Sequence, residues 1–371
     1  MDFDFSDDQE QLRDAVHKWV DKGYDFDRRR AIAHAGGFDR AAYTEMAELG
    51  LTGLYVSEAQ GGMGMGPVEG MVVLEALGSG IVLEPLTQTL ITSAVLEGYG
   101  PDALKTAWLG RIASGEALVV LAHQERKGRY SLTQCATQAQ EAAGAWTLTG
   151  TKNMVPAGAQ ADAYLVPAMV GSTLGLFLVE RSASGLRTSG YATQDGAAAA
   201  DVHLDHTPAQ LLTRDGLTAL EHAVDIGIAS LCAEAVGVMD KTMAITIDYM
   251  NTRKQFNTVI SSFQSLRHRV ADMKMQLELA RSMSFYATLK LNAPADERRS
   301  AMARAKYQLG VSMRFVGQQA VQLHGGIGVT DEYIVSHYFK KLTQMEMTWG
   351  DTLHQLSQVS DRMQETAGVF A

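Results

Sequence analysis

Arg253 and Phe256 close a long apolar-patterned stretch in the segment Arg253-Lys254-Gln255-Phe256, and Gln264 follows eleven residues after the arginine. Much further on stands Gln322-Leu323-His324-Gly325-Gly326-Ile327-Gly328. Arginine offers a rigid, permanently charged fork of donors that matches a diphosphate. Phe256 adds a flat apolar wall and Gln264 a neutral amide, while paired glycines let backbone come close to a bulky ligand. Alone, Arg253 to Phe256 reads as a helix end, where a basic residue complements the dipole. Together, these groups read as a grip on a phosphorylated, planar cofactor.

Two other clusters invite chemistry and carry less. Gly61-Gly62-Met63-Gly64-Met65-Gly66 resembles a dinucleotide loop, but that fingerprint needs a preceding strand, GxGxxG spacing and a βαβ unit. The spacing fails here and the surroundings are helical, so a turn between helices is the reading. Asp201, His203 and Asp205 alternate along a strand and share one face, with His206 beside them. Without a second histidine or cysteine cluster this is a solvated strand face, and no metal site is assigned.

The elements that must position these groups follow from periodicity. Residues 6 to about 116 read as helices: Ser6 and Gln9 have capping-box spacing, Leu12, Val16 and Val20 recur helically, and Ala41 to Gly50 ends at a glycine cap. From 117 to 212 the texture is that of strands: Ala117 to His123, Trp146 to Lys152, Ala163 to Val166 and Leu174 to Val179 are short and branched or aromatic. The run Asp195 to Ala200 reads as a small-residue loop before the final strand. After about Asp215 a helix is predicted from Leu217 to near Asn251, with Gly227 and Gly237 marking close packing. A second helix carries a core stripe of Leu266, Val270, Met273, Leu277 and Ala280. The expected order is a helical domain (1–116), a β domain (117–212) and a helical bundle (213–371), an α+β, mainly helical chain.

Composition narrows the function. At 371 residues the chain has room for two or three cores, and its net charge of -10 lacks the basic excess a nucleic-acid binder needs. Cys135 and Cys232 lie far apart, which fits a reducing cytoplasm rather than a disulfide scaffold. The amino terminus, Met1-Asp-Phe-Asp-Phe-Ser-Asp-Asp, is acidic where a leader would be basic, and no apolar run is read as a membrane span. A cytoplasmic location is expected.

At Arg253-x-x-Phe256, Phe263-Gln264 and Gln322-x-x-Gly325-Gly326-x-Gly328 the chain resembles the acyl-CoA dehydrogenase family. Gly61-Gly62-x-Gly64 and Trp146-x-Leu148-x-Gly150-x-Lys152 extend the likeness over nearly the whole length. Ala122-His123-x-Glu125, Arg129-Tyr130 and Ser336-His337-Tyr338-Phe339-Lys340 look closest to the small subunits of two-component enzymes of the pimeloyl-CoA dehydrogenase type. The resemblance implies an N-terminal helical domain, a β-barrel-like middle domain and a C-terminal four-helix bundle. It also implies FAD, an acyl-CoA substrate, an acceptor like electron-transfer flavoprotein, and a homo- or hetero-tetramer. By it, Arg253, Phe256, Gln264, Gln322, Gly325 and Gly326 contact the FAD of a neighbouring subunit.

In that chemistry a carboxylate takes the α proton while the flavin accepts a hydride from the β carbon. Counted without a gap from Gly325, the family's Tyr-Glu-Gly-Thr is here Thr348-Trp349-Gly350-Asp351, so Trp349 replaces the base. An indole donates and cannot accept a proton. Some members carry the base on the preceding helix, where this chain has Gly227. The family's Thr-Glu-Pro loop becomes His123-Gln124-Glu125, and its Trp-x-Thr becomes Met154-Val155-Pro156. Asp351 and Asp225 are the carboxylates near the two base positions, each read first as a surface or capping residue. The expected function is a dehydrogenase subunit without the usual glutamate; a flavin oxidase or monooxygenase on the same fold, or a non-catalytic partner, is the alternative.

Overall fold

The computed structural model describes residues 5–366, so Met1 to Asp4 of the acidic amino-terminal segment lie outside it. Six helices come first: α1 (Asp7–Gly23), α2 (Phe26–His34), α3 (Arg40–Glu48), α4 (Pro67–Gly78), α5 (Leu86–Tyr99) and α6 (Asp102–Ala113). Seven strands follow: β1 (Val119–Leu121), β2 (Gln138–Ala142), β3 (Ala145–Pro156), β4 (Ala163–Val170), β5 (Thr173–Glu180), β6 (Leu186–Ala192) and β7 (Ala198–Thr213). Then come α7 (Gly216–Thr252), the short hairpin β8 (Lys254–Gln255) and β9 (Thr258–Val259), α8 (Gln264–Lys290), α9 (Ala295–His324), α10 (Ile334–Met347) and α11 (Thr352–Thr366). The chain forms two compact units, one of Met1–Phe26, Met71–Val82 and Ile228–Ala371, the other of Asp27–Gly70 and Leu83–Gly227.

The capping box at α1 is present in both directions, and Gly50 ends α3 in the left-handed region at φ 79°. The glycines at 61 and 64 are also left-handed, and a side chain on Gly62 would strike the Val56 carbonyl at 2.2 Å, which makes 61–66 a tight turn. Strands β2 and β6 escape the sequence reading because their residues are mostly polar and exposed, with no alternation to detect. The run at 195–200 is only half a loop: Ala198, Ala199 and Ala200 are buried and open β7.

In the second unit the sheet closes on itself. Strand β4 pairs with β5, β5 with β7, β7 with β3, β3 with β2, and β2 returns to β4 through Gln138 and Met169. Trp146, Leu148, Tyr164, Val166, Phe177, Val202 and Leu204 fill the inside. Between them His203 and Asp205 turn outward, as period-two alternation requires. Strand β1 would present a bare edge, but α5 covers it: Gln88 Oε1 accepts from the Leu121 amide at 3.0 Å and Thr92 Oγ1 donates to the Val119 carbonyl at 3.1 Å.

In the first unit α8 and α9 run antiparallel, tied by Arg269 to Gln319 (2.7 Å), Ser312 to Gln276 (3.0 Å) and Lys290 to Glu297. Met273, Leu277 and Ala280 of the predicted stripe are fully buried, while Leu266 and Val270 are half-buried nearer the helix start. Gly237 answers its reading, since a side chain there would meet the Glu75 carbonyl of α4 at 1.8 Å. Helix α7 is long and apolar enough to cross a bilayer, contrary to the sequence expectation, yet 89% of its apolar window is buried inside the protein.

Candidate functional site

One end of the bundle collects the six cofactor candidates. The Arg253 amide donates to the Tyr249 carbonyl at 2.8 Å, ending α7, and β8 turns into β9 through Phe256 (φ 53°) and Asn257 (φ 65°). Two consecutive left-handed residues make a type I′ hairpin, whose geometry matches strand twist but disfavours a bulky side chain. Phe256 nevertheless sits there, 87% exposed, edge-on to Phe263 at 6.1 Å. Helix α8 starts one residue later at Gln264 without a side-chain cap, so its first amides and the positive end of its dipole are open to an anion. Because α8 and α9 are antiparallel, the end of α9 lies beside that start. Tyr249 also stacks on His324 at 4.4 Å and its hydroxyl donates to the His324 carbonyl at 3.3 Å, joining the ends of α7 and α9. Arg253, Phe256, Gln264, Gln322, Gly325 and Gly326 are all exposed at this pole.

The pole fits a phosphorylated cofactor. Gly325 has φ 65° and ψ -141°, a region open in practice only to glycine, and a side chain on Gly325 or Gly326 would meet nothing within 4 Å. Beside them His324 is 4% exposed, and its Nδ1–H donates to the Ala320 carbonyl at 2.8 Å. That fixes Nε2 as a buried acceptor with no hydrogen-bond partner. Burial lowers the His324 pKa and the Ala320 bond opposes this, so the ring is neutral at neutral pH. The sequence motif alone assigns His324 no role, because an orphaned nitrogen appears only once the ring is packed.

Trp349 lies in the turn between α10 and α11, at φ 59°, followed by Gly350 at φ 99°. Such a conformation costs a tryptophan about 1–3 kcal/mol and persists only where neighbours enforce it. Here they do. Lys306, fully buried on α9, donates Nζ to the carbonyls of Glu346 (2.8 Å) and Gly350 (3.2 Å), and Gln355 Nε2 donates to the Trp349 carbonyl at 2.8 Å. Burial lowers the Lys306 pKa to about 8, against the opposing pull of Cys232, Glu346 and Asp351. Sequence reading missed Lys306, whose partners are backbone atoms forty or more residues away.

The two weak base candidates fare differently. Asp351 caps α11, its Oδ1 accepting from the His354 amide at 2.8 Å. Asp225 is neither a surface nor a capping residue, contrary to its sequence reading: it is 2% exposed within α7. Gly227 is buried on the same helix. Among the described residues no three His, Cys, Asp or Glu side chains gather as a metal site.

In the β unit, Glu125 is the centre of a clamp. Its Oε1 accepts from Lys152 Nζ (2.7 Å), the Thr137 hydroxyl (2.7 Å) and the Thr137 amide (3.1 Å), and its Oε2 from the Ala136 amide (2.6 Å). Burial alone would raise the Glu125 pKa, but Lys152, Thr137 and Ala136 outweigh it and hold the carboxyl at about 2. Met154 sits in a β-bulge at φ 52°, its amide shared between Tyr191 Oη (3.1 Å) and Asp201 Oδ1 (3.3 Å). Pro156 has no amide proton to give. The stretch 154–156 therefore does not present the free donors a flavin ring would use. The motif Ser336 to Lys340 is structural: Tyr338 donates to the Ser79 carbonyl, His337 to the Asp331 carbonyl (2.9 Å), and Lys340 pairs with Asp331 (2.7 Å).

The acyl-CoA dehydrogenase N-terminal domain model matches residues 6–116 and the C-terminal domain model residues 214–364. The chain belongs to the acyl-CoA dehydrogenase family. This family performs FAD-dependent dehydrogenation of acyl-CoA thioesters, so the chain is classed with the oxidoreductases acting on CH–CH groups. Acyl-CoA dehydrogenase FadE27 of Mycobacterium tuberculosis is 28% identical over 343 residues, covering 89% of each chain. The short-chain-specific acyl-CoA dehydrogenase of Megasphaera elsdenii is 25% identical over 378 residues, 93% of this chain and 95% of its own. Among solved structures, the Tcur3481-Tcur3483 steroid ACAD has a TM-score of 0.90 at 28% identity over 97% of this chain and 99% of its own. The ChsE4-ChsE5 complex from Mycobacterium tuberculosis has 0.89 at 25%, covering 99% and 100%. Within the acyl-CoA dehydrogenase fold, this chain exposes Arg253, Phe256, Gly325 and Gly326 at one end of the bundle and carries Trp349 in the turn between α10 and α11.

Proposed function

We propose that this chain is the subunit of a two-component acyl-CoA dehydrogenase that helps hold FAD and leaves proton abstraction to its partner. Trp349 carries the reading: at the position that spacing assigns to the base stands a donor-only indole, in a turn fastened by Lys306 and Gln355. Asp351 is engaged as a helix cap, which leaves it a poor substitute.

In this reading Arg253 and the uncapped start of α8 hold the diphosphate of an FAD seated mainly in the neighbouring subunit. Phe256 walls the dinucleotide, Gln264 and Gln322 bond its polar edges, and Gly325 and Gly326 admit it closely. When bound, the flavin supplies the hydride acceptor for the β carbon. Two similar solved proteins carry paired names, ChsE4-ChsE5 and Tcur3481-Tcur3483, which supports a hetero-tetramer. The subtype resemblance and the steroid relative put forward two acyl classes, dicarboxylic and steroid-bearing. A cytoplasmic location, an acceptor like electron-transfer flavoprotein, and the functional segments 1–116, 117–212 and 213–371 belong to the same proposal.

The test is Trp349→Phe in enzyme reconstituted with its partner. Acyl-CoA-dependent flavin bleaching should stay within about twofold of the parent rate, since no transition-state group is removed. A fall of several orders of magnitude would sink the reading. Oxygen consumption by reduced flavin without any acyl-CoA would instead favour the oxidase.

A further inference from the structure

We propose that Cys135 and Lys152 form an oxidative modification site, at which hydrogen peroxide joins the two side chains through a sulfur–nitrogen bond. The β2–β3 ladder brings them together. With Gln138 opposite Thr149, the same register carried outward sets Cys135 opposite Lys152. Gly150 permits that continuation, since a side chain there would meet Thr137 Cα at 2.8 Å. Lys152 Nζ donates to Cys135 Sγ at 3.5 Å, and the thiol faces Glu125 Oε1 at 3.4 Å. Lys152 is fully buried, so its amine is kept against the sulfur. Cys135 is half-buried between exposed Gln134 and Ala136, within reach of a small oxidant. The ion pair accounts for Lys152 and Glu125 but not for a thiol against both, because an S–H is a weak donor that a serine hydroxyl would outdo.

The chemistry balances in two steps. In the first, the sulfur attacks peroxide: an S–O bond forms, the O–O bond breaks, and the departing hydroxide leaves as water with the thiol proton. Sulfur is oxidised by two electrons and peroxide reduced by two, leaving Cys135 a sulfenic acid. In the second, Lys152 Nζ attacks that sulfur, so that an S–N bond forms and the S–O bond breaks. Of the two protons the ammonium gives up, one leaves with the hydroxyl as water. The other passes to solvent through Glu125 Oε1, 2.7 Å from Nζ. Burial pushes the Cys135 thiol up, Lys152 opposing and Glu125 adding, so the first step is slow in neutral buffer and quickens with rising pH. Against burial, Lys152 is what chiefly holds the Glu125 carboxyl low, and the bridge removes that charge. Oxidation is thereby coupled to the carboxylate that fastens the loop between β1 and β2.

The proposal goes beyond the two-component reading, and its test needs no flavin, acyl-CoA or partner. The full-length chain is treated with hydrogen peroxide under native conditions, cut at Glu141 between the two residues, and mapped by mass spectrometry. The peptides holding Cys135 and Lys152 should become joined, about 2 Da lighter than their sum, and separate again with dithiothreitol. The bridge should form faster in mildly alkaline than in neutral buffer, while fully buried Cys232 stays a thiol. Cys135→Ser should abolish it. Lys152→Arg, which keeps a cation beside Glu125, should instead leave a sulfenic acid that dimedone traps. A Cys135 that stays a thiol, or gains oxygen without joining Lys152, overturns the proposal. So does a bridge that keeps the oxygen, one that persists in Lys152→Arg through a backbone nitrogen, or one that appears only once Cys232 is oxidised as well.

Discussion

Replacing Lys152 by methionine isolates the force that holds the β unit's long loop. Lys152 Nζ is fully buried and lies 2.7 Å from Glu125 Oε1, on a carboxylate that is itself 9% exposed. With Glu125 held at about 2 against an ordinary value of 4.5, the carboxylate's native interactions contribute about 3 kcal/mol at neutral pH. Breaking one partner of a buried pair costs a similar amount, about 3–5 kcal/mol, because the remaining charge is stranded. Lys152→Met should therefore lose about 3 kcal/mol in urea unfolding at pH 7. The sign with pH follows from the depressed carboxyl. Its stabilisation is fully present above the unfolded value and disappears as pH falls through the folded one, so parent and variant should converge between about pH 4.5 and pH 2. A loss under about 0.5 kcal/mol at pH 7, or a gap that does not shrink with acid, would refute the argument.

At the pole, Gly325→Ala should cost about 1–3 kcal/mol in thermal unfolding because only the backbone angle resists it, while Gly326→Ala, at ordinary φ and in open space, should be near neutral. Phe256→Asn should leave the isolated chain equally or more stable by about 1 kcal/mol, since asparagine tolerates the left-handed turn, and should lower flavin retention in the assembled enzyme. Asp351→Ala should lose about 1 kcal/mol as a helix cap is removed, without slowing acyl-CoA-dependent bleaching in the reconstituted enzyme; abolished bleaching would make Asp351 the base.

Long helices and buried strands were legible because their periodicity is set by the core they face. Met273, Leu277 and Ala280 on α8, and the buried Val202 and Leu204 alternating with outward His203 on β7, are read from the pattern and recur in the structure. Strands β2 and β6 were not legible, because a strand with a wet, polar exterior carries no hydrophobic signal. The pole residues were readable as types and spacing, but their convergence depends on α8 and α9 running antiparallel, which local sequence does not state. Lys306 illustrates the remaining limit. A lysine in a helix reads as solvated, and only the fold shows it buried against the carbonyls of Glu346 and Gly350. Asp225 is the reverse case, an acid read as surface and found enclosed in α7.

Which subunit takes the α proton decides whether this chain can work alone. Anaerobic titration of this chain with pimeloyl- and steroid-type acyl-CoAs, alone and then with its partner subunit, reads that directly through the flavin's visible absorbance. Bleaching only in the presence of the partner is the predicted result. Rapid bleaching by this chain alone, with Trp349 in place, would contradict it.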